Sequence, residues 1–356
     1  MKRAVHIVAL FSCIFLAGCD LVVLSPAGDV AQQQGELIIY ATVLMLIVIL
    51  PVMALTVFFA IKYRESNKNA SYEPEWHHSF SLEIVIWSVP LAIIICLAGL
   101  TWVATHRLDP YKPLSRISED QPIDPEVKPL IIQVASMDWK WLFIYPEQGI
   151  ATVNEVAAIV DRPIEFQITS ATVMNSFYIP ALAGQIYSMA GMQTEMNAVI
   201  NEPGVYDGFS ANYSGAGFSQ MRFKFHGLDQ AGFDDWVAKV GASGQNLDTD
   251  TLERLNQPSI AHPVTYYGTV SDTAWDRLVN LCVDGDSLCR NDMMMVDALG
   301  GGGLEGLWNR EMFRGICSAE DPGAFIAMLR PEMRLRAGEI VTAMSLLPDA
   351  TQTTRQ

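Results

Sequence analysis

Two stretches of this chain carry no charge for longer than a bilayer is thick, and most of the remainder alternates over short periods. Leu37–Ile61 runs 25 residues without a charged side chain, and Ile84–Thr105 runs 22. About 20 apolar residues cross the hydrocarbon core as a helix, so the pattern predicts two spans, 37–61 and 84–105, joined by a polar loop, 62–83. Pro51 and Pro90 fall inside the spans, where neighbouring helices satisfy the freed carbonyls. Trp87 and Trp102 lie near opposite ends of the second span, as interfacial aromatics do. Residues 106–126 are broken by Pro110, Pro113, Pro122 and Pro125 and read as an extended connector. The period then drops to two. Ile164-Glu165-Phe166-Gln167-Ile168-Thr169 and Met221-Arg222-Phe223-Lys224-Phe225-His226 each offer one apolar face. Ile131–Val134 and Ala198–Ile200 are further strand candidates. Residues 127–226 are thus expected to form an all-β sandwich. From 227 to 356 the spacing turns mainly helical, as in Phe233–Val240 and Asp272–Leu281, with Asp in the first turn.

The first residues follow a different logic. Met1-Lys2-Arg3 precedes an apolar run ending in Leu16-Ala17-Gly18-Cys19, which reads as a secretory signal over 1–18. Small residues directly before a cysteine resemble a bacterial lipoprotein box. That resemblance implies cleavage after Gly18 and a covalent diacylglycerol and fatty acyl anchor on Cys19, with Asp20 resembling the inner-membrane retention signal. An uncleaved anchor with an incidental cysteine is the plainer alternative. Residues 19–36 carry no Lys or Arg, whereas Lys62, Arg64 and Lys68 follow the first span. Basic loops stay cytoplasmic, so 19–36 and everything from His106 onward belong in the periplasm. Arg107, Lys112 and Arg116 oppose that ordering, and a lipid on Cys19 would restore it.

Charge narrows the partners. Half the chain is hydrophobic, yet it carries 39 acidic against 23 basic side chains, of which 32 and 18 lie in 106–356. An acidic soluble part of this kind argues against nucleic acid and leaves the lipid bilayer, through the spans, as the expected surroundings. Cys282, Cys289 and Cys317 would meet an oxidising periplasm, where two of the three are expected to pair. Cys282 with Cys289 is the nearest choice, and spacing does not decide it. Met293-Met294-Met295 nearby offers an alternative, a Cys/Met site for Cu(I), against the commoner use of methionine in packing. Gly300–Gly303 lacks the lysine of a phosphate-binding loop and reads as a turn.

The most informative motif is Ser210-x3-Ser214-x3-Phe218-x2-Met221, with Asn212 between the serines and Asn175 35 residues before Ser210. The serines stand where two cysteines four apart could hold a soft metal, and Asn175 and Phe218 stand where imidazoles would complete the set. No cysteine lies between Cys96 and Cys282, and no histidine between His106 and His226. Hydroxyl and amide oxygens bind copper far more weakly than thiolate and imidazole. On their own, Ser210 and Ser214 are turn residues beside Gly208, Gly215 and Gly217.

Framed by Val173-Met174-Asn175-Ser176-Phe177 and Pro203-Gly204-Val205-Tyr206-Asp207-Gly208, these positions resemble the second subunit of haem-copper respiratory oxidases. Glu83-Ile84-Val85-Ile86-Trp87-Ser88-Val89-Pro90 is similar to the opening of that family's second membrane helix, and Asp138-Trp139-Lys140-Trp141 to its aromatic stretch. The resemblance covers roughly residues 36–240 and gives 241–356 no family role. Members that oxidise cytochrome c hold a dinuclear copper centre in this frame. Here only Met221 keeps a ligand type, while Asn175, Ser210, Asn212, Ser214 and Phe218 do not, so the likeness is to the quinol-oxidising, cytochrome bo-type branch.

That resemblance implies a two-helix transmembrane hairpin, a cupredoxin-like sandwich without copper, and no cofactor in this chain. Haems and copper would lie in a catalytic subunit I, further membrane subunits would complete the complex, and ubiquinol would be its substrate. Glu83 matches a glutamate at the mouth of a proton pathway; read alone, it is a helix N-terminal acid favoured by the dipole. Trp139 matches the tryptophan of electron entry in copper-bearing relatives and is expected here to serve packing or subunit contact. His77-His78 on the cytoplasmic loop are expected to be interfacial. A rival reading from another class is a periplasmic copper-trafficking or binding lipoprotein built on the Cys282–Cys317 region.

Overall fold

Trp141-Leu142-Phe143-Ile144-Tyr145 is apolar on both alternating faces, the pattern of a strand covered on two sides. A computed structural model describes residues 21–294 except 72, 125, 285, 286, 288 and 292, and in it this run forms a strand buried along its whole length. Cys19 with the expected signal, Met295, Gly300–Gly303 and Cys317 lie outside the described residues.

Two helices open the described chain. α1 (Asp29–Lys62) and α2 (Phe80–Arg107) contain both charge-free runs, and both are long and apolar enough to cross a membrane. They extend past the expected limits of 37–61 and 84–105. The eight additional residues at the start of α1 are there for a tertiary reason: Asp29, Val30, Ala31 and Gly35 are buried, so the helix begins on the soluble domain rather than at the membrane. The connector, expected to be extended, includes a small hairpin of β1 (Arg116–Ser118) and β2 (Gln121–Pro122).

The sandwich follows. β3 (Leu130–Met137), β4 (Lys140–Tyr145), β5 (Ile150–Val153), β6 (Glu155–Ile159), β7 (Ile164–Ser170), β8 (Asn175–Tyr178), β9 (Ile186–Ser188), β10 (Thr194–Ala198), β11 (Gly204–Ser210) and β12 (Arg222–Leu228) make up most of two sheets. One has the order β6-β12-β11-β8-β9. The other continues past residue 226: after α3 (Gln230–Gly241), β13 (Asn246–Leu247) and α4 (Thr249–Asn256), strand β14 (Thr265–Tyr267) pairs with β5 to give the order β10-β7-β3-β4-β5-β14. β12 runs across the boundary expected at 226/227, and β14 joins the sandwich from beyond it. β15 (Thr269–Val270) pairs with β13, and α5 (Ala274–Val279) follows.

The C-terminal part explains why β4 is buried on both faces. Between the sheets, Phe177 and Phe223 stack at 5.3 Å, with Trp141 edge-on to them at 5.3 and 5.7 Å. On the outer side of the six-stranded sheet, Leu142, Ile144 and Val153 meet Leu252, Leu255 and Leu278 in a second core. The sheets are also joined by a polar tie. Tyr145, wholly buried, donates its hydroxyl to Ala157 O at 2.9 Å and accepts from Ala157 N at 2.8 Å. Burial holds that phenol well above its usual pKa.

Candidate functional site

The frame singled out in the sequence forms at one end of the sandwich. β8 begins at Asn175 and pairs with β11, which ends at Ser210, so the two residues meet although they are 35 apart. Their side chains are 1% and 3% exposed. Ser210 Oγ donates its one proton between Asn175 Oδ1 at 3.1 Å and Asn212 O at 3.2 Å. The amides face outward to loop carbonyls: Asn175 Nδ2 donates to Val173 O and Asn212 Nδ2 to Met174 O, each at 3.1 Å. Ser210 N donates to Met221 O at 3.2 Å, while the Met221 side chain is buried in the inter-sheet core. Asn175, Ser210 and Asn212 are thus brought together, with Met221 joined to them through its backbone carbonyl.

Ser214 and Phe218 go elsewhere. Phe218 starts a 3-10 turn and packs its ring edge-on against Tyr213 at 5.7 Å. Ser214 offers its carbonyl to Trp139 Nε1 at 3.1 Å, and its hydroxyl is buried without a partner among the described residues. Trp139 has φ of 65°, a left-handed conformation uncommon for a bulky side chain. Its indole lies against Gly217, where a Cβ would come within 2.4 Å of the ring. The loop and the tryptophan therefore lock each other.

This donor set does not fit a copper pair. Two hydroxyls, two amides, a phenyl ring and one thioether supply no thiolate to bridge and no imidazole to complete a site. The Ser210 proton is already engaged with Asn175.

Sequence reasoning missed the group next to it. Lys140 is 1% exposed, yet its ammonium reaches Ser259 Oγ at 2.7 Å, Gln257 O at 2.8 Å and Asp138 O at 3.3 Å. Burial lowers its pKa to about 8, opposed by the Asp138 charge. Ser259 Oγ also meets His262 Nδ1 at 3.2 Å, and Thr172 Oγ1 donates to Asp138 Oδ1 at 2.6 Å. Residues 257–262 are thereby fastened to the end of the sandwich that carries the frame. The available signal was a lone lysine between two tryptophans, heading a run with no other charge.

A second ion pair was also unforeseen. Asp29, in the first turn of α1 and 3% exposed, accepts from Arg116 Nη2 at 2.9 Å and Nε at 3.0 Å, and from Gln33 Nε2 at 2.7 Å. Just before it, Ala27 N and Gly28 N donate to Ala181 O. A Cβ on Gly28 would sit 2.5 Å from Val199 O and 2.8 Å from Leu182 O, so glycine is required for that approach.

Glu83 lies in the first turn of α2, its Oε1 at 2.5 Å from His78 Nδ1, with both side chains exposed. His77 Nδ1 lies 2.6 Å from Glu75 O instead. Cys282 and Cys289 are joined in a disulfide, which removes both sulfurs from the alternative Cys/Met metal set.

Residues 147–227 match the family described as cytochrome C oxidase subunit II, periplasmic domain, and residues 242–286 match the COX aromatic rich motif. Over 263 residues, 74% of this chain and 77% of the relative, the sequence is 54% identical to cytochrome bo(3) ubiquinol oxidase subunit 2 of Pseudomonas aeruginosa. The chain belongs to the ubiquinol oxidase subunit 2 family. The ubiquinol oxidase subunit 2 of Acetobacter aceti is 48% identical over 78% of this chain and 88% of its own length. The periplasmic domain of subunit II of cytochrome oxidase (CoxB) of Bradyrhizobium japonicum is similar at 22% identity, with a TM-score of 0.31 over 33% of this chain and 96% of that one. For a ubiquinol oxidase subunit 2, the second family match corrects one expectation. Residues 242–286 do carry a family motif, and Tyr267 and Trp275 within it pack on the outer core.

Proposed function

We propose that this chain is the subunit without redox metal in a proton-pumping complex that oxidises ubiquinol and reduces dioxygen to water. Haems and copper are held by catalytic subunit I, and further membrane subunits complete the assembly. The observation that carries this reading is the Asn175–Ser210 hydrogen bond in the middle of the frame, with no thiolate or imidazole beside it among the described residues. Electrons from quinol therefore enter the catalytic subunit without passing through the sandwich. The chain's own work is mechanical and protonic. α1 and α2 brace the catalytic subunit within the inner membrane. The end of the sandwich exposing Val173, Met174 and Tyr213 caps its periplasmic face. Cys19 carries the lipid that anchors the N-terminus.

Glu83 is the proton-entry residue in this reading. Its support is position: an exposed carboxylate at the start of a membrane helix, in contact with His78. Replacement of Glu83 by Gln is expected to lower ubiquinol-dependent oxygen consumption of the purified complex several-fold with haem content unchanged. Unchanged turnover would dismiss the assignment. The wider reading is tested by purifying the tagged chain in mild detergent. A haem spectrum and quinol-dependent oxygen uptake should travel with it. A chain that purifies free of haem protein would favour the carrier lipoprotein instead.

A further inference from the structure

Two adjoining cavities flank the point where α2 leaves the membrane. One, of about 280 Å3, lies between the first turns of α1, the connector and the sandwich, and Gln33, Arg107, Lys112 and Asn197 are among its walls. The other, of about 210 Å3, lies between the two helices and is walled by Leu37, Tyr40, Leu100 and Val103. Gln33, Arg107, Leu108 and Arg116 line both. The second cavity thus has an apolar wall where Leu37, Leu100 and Val103 face it and a charged one where Glu36, Arg107, Arg116 and Glu119 do, and it joins the first along the charged side.

The cations of that chamber differ in their state. Arg116 is committed to Asp29. Arg107 and Lys112 are exposed and have no ion-pair partner among the described residues. The remaining carboxylates on the walls are Asp109, which accepts from Tyr111 N, and Glu36 and Glu119 on the cleft side. Cations just beyond a span sit at the depth of lipid phosphates, where they attract anionic headgroups.

We propose that this recess binds an anionic phospholipid of the periplasmic leaflet. Arg107 and Lys112 hold the phosphodiester, and an acyl chain lies in the cleft between α1 and α2. A carboxylate from a neighbouring subunit would meet the same two cations, but it would leave the apolar wall of Leu37, Leu100 and Val103 without a role. The inference rests on the helices crossing a bilayer, not on what the complex oxidises.

The test is native mass spectrometry of the delipidated whole complex, with phosphatidylglycerol, phosphatidylcholine of equal chain length, or inorganic phosphate added separately. Phosphatidylglycerol should be retained over phosphatidylcholine. Arg107→Gln and Lys112→Gln should each weaken that retention about five-fold, one surface cation's worth, and Arg107→Lys should restore it. A photoactivatable phosphatidylglycerol should label residues 100–116. Equal retention of both lipids, or retention unchanged in both variants, would overturn the proposal. Inorganic phosphate binding as tightly as the lipid would reduce the site to a free-anion site and overturn it too. So would loss of a neighbouring subunit from the variants while the lipid stays bound.

Discussion

In the long helices Leu50 is 58% and Trp102 70% exposed, whereas Trp141, Phe166 and Phe177 of the sandwich are wholly buried. These residues are comparably apolar, and what differs is whether the chain can cover them by itself. The two sheets close over one core, and the C-terminal segments close over another. A pair of helices has no third element to lie against, so its apolar surface is left for lipid and other subunits. Stability of the sandwich is therefore an internal property, while the spans acquire their meaning from their surroundings. α1 belongs to both regimes, with its first two turns anchored on the sandwich and the rest bare.

Truncation on each side of that divide gives the largest contrast. Phe177→Ala removes a ring stacked in the inter-sheet core and is expected to cost about 3–5 kcal/mol. Leu50→Ala should leave the periplasmic domain's stability unchanged. Pulse proteolysis of the purified complex across a urea series reads both, and equal losses would break the comparison. At the anchor itself, Arg116→Met strands the buried Asp29 carboxylate and should cost about 3 kcal/mol, most of it regained with Asp29→Asn added. The readout is protease cleavage within 107–116.

A smaller, pH-dependent effect is expected at Lys140. Its pKa is lowered from 10.5 to about 8, so the folded chain holds fewer protons than the unfolded one between those values. Stability from this site therefore rises as pH climbs from about 8 towards 10.5 and is lowest below 8, where the buried ammonium is fully charged. Hydrogen exchange of residues 257–262, corrected for intrinsic rates, should slow across that window, and in Lys140→Met it should not follow pH. The smallest effects belong to the frame. Ser210→Ala deprives Asn175 of a donor and should cost about 1 kcal/mol, whereas Ser214→Ala, whose hydroxyl has no partner, should stay within about 0.5 kcal/mol. Urea midpoints of the same complex separate the two.

Local periodicity made some of this legible beforehand. The alternation of Ile164–Thr169 recurs as alternating burial at the start of β7, and that of Met221–His226 along β12. Phe233–Val240 lies within α3, whose apolar residues Phe233, Trp236 and Val240 are the buried ones. Where periodicity was short or absent, the reading failed. β14 is three residues long, too few to show a pattern, yet it completes the larger sheet. The helix expected over Asp272–Leu281 is confined to Ala274–Val279. Lys140 and Ser259 are 119 residues apart, and Asp29 and Arg116 are 87 apart. No spacing rule links residues at such distances.

What the sequence by itself determined is a matter of residue type and short-range order. It placed two charge-free runs of spanning length, put alternating strands between them and the C-terminal segments, and put oxygen and carbon where a copper frame would need sulfur and nitrogen. Only the tertiary structure decided that α1 starts on the sandwich, that the C-terminal segments bury the outer face of β4, and that a lysine is sealed beneath them. The reason is physical. Periodicity is set by backbone geometry over a few residues, whereas burial and ion pairing depend on which distant segments the packed chain brings into contact.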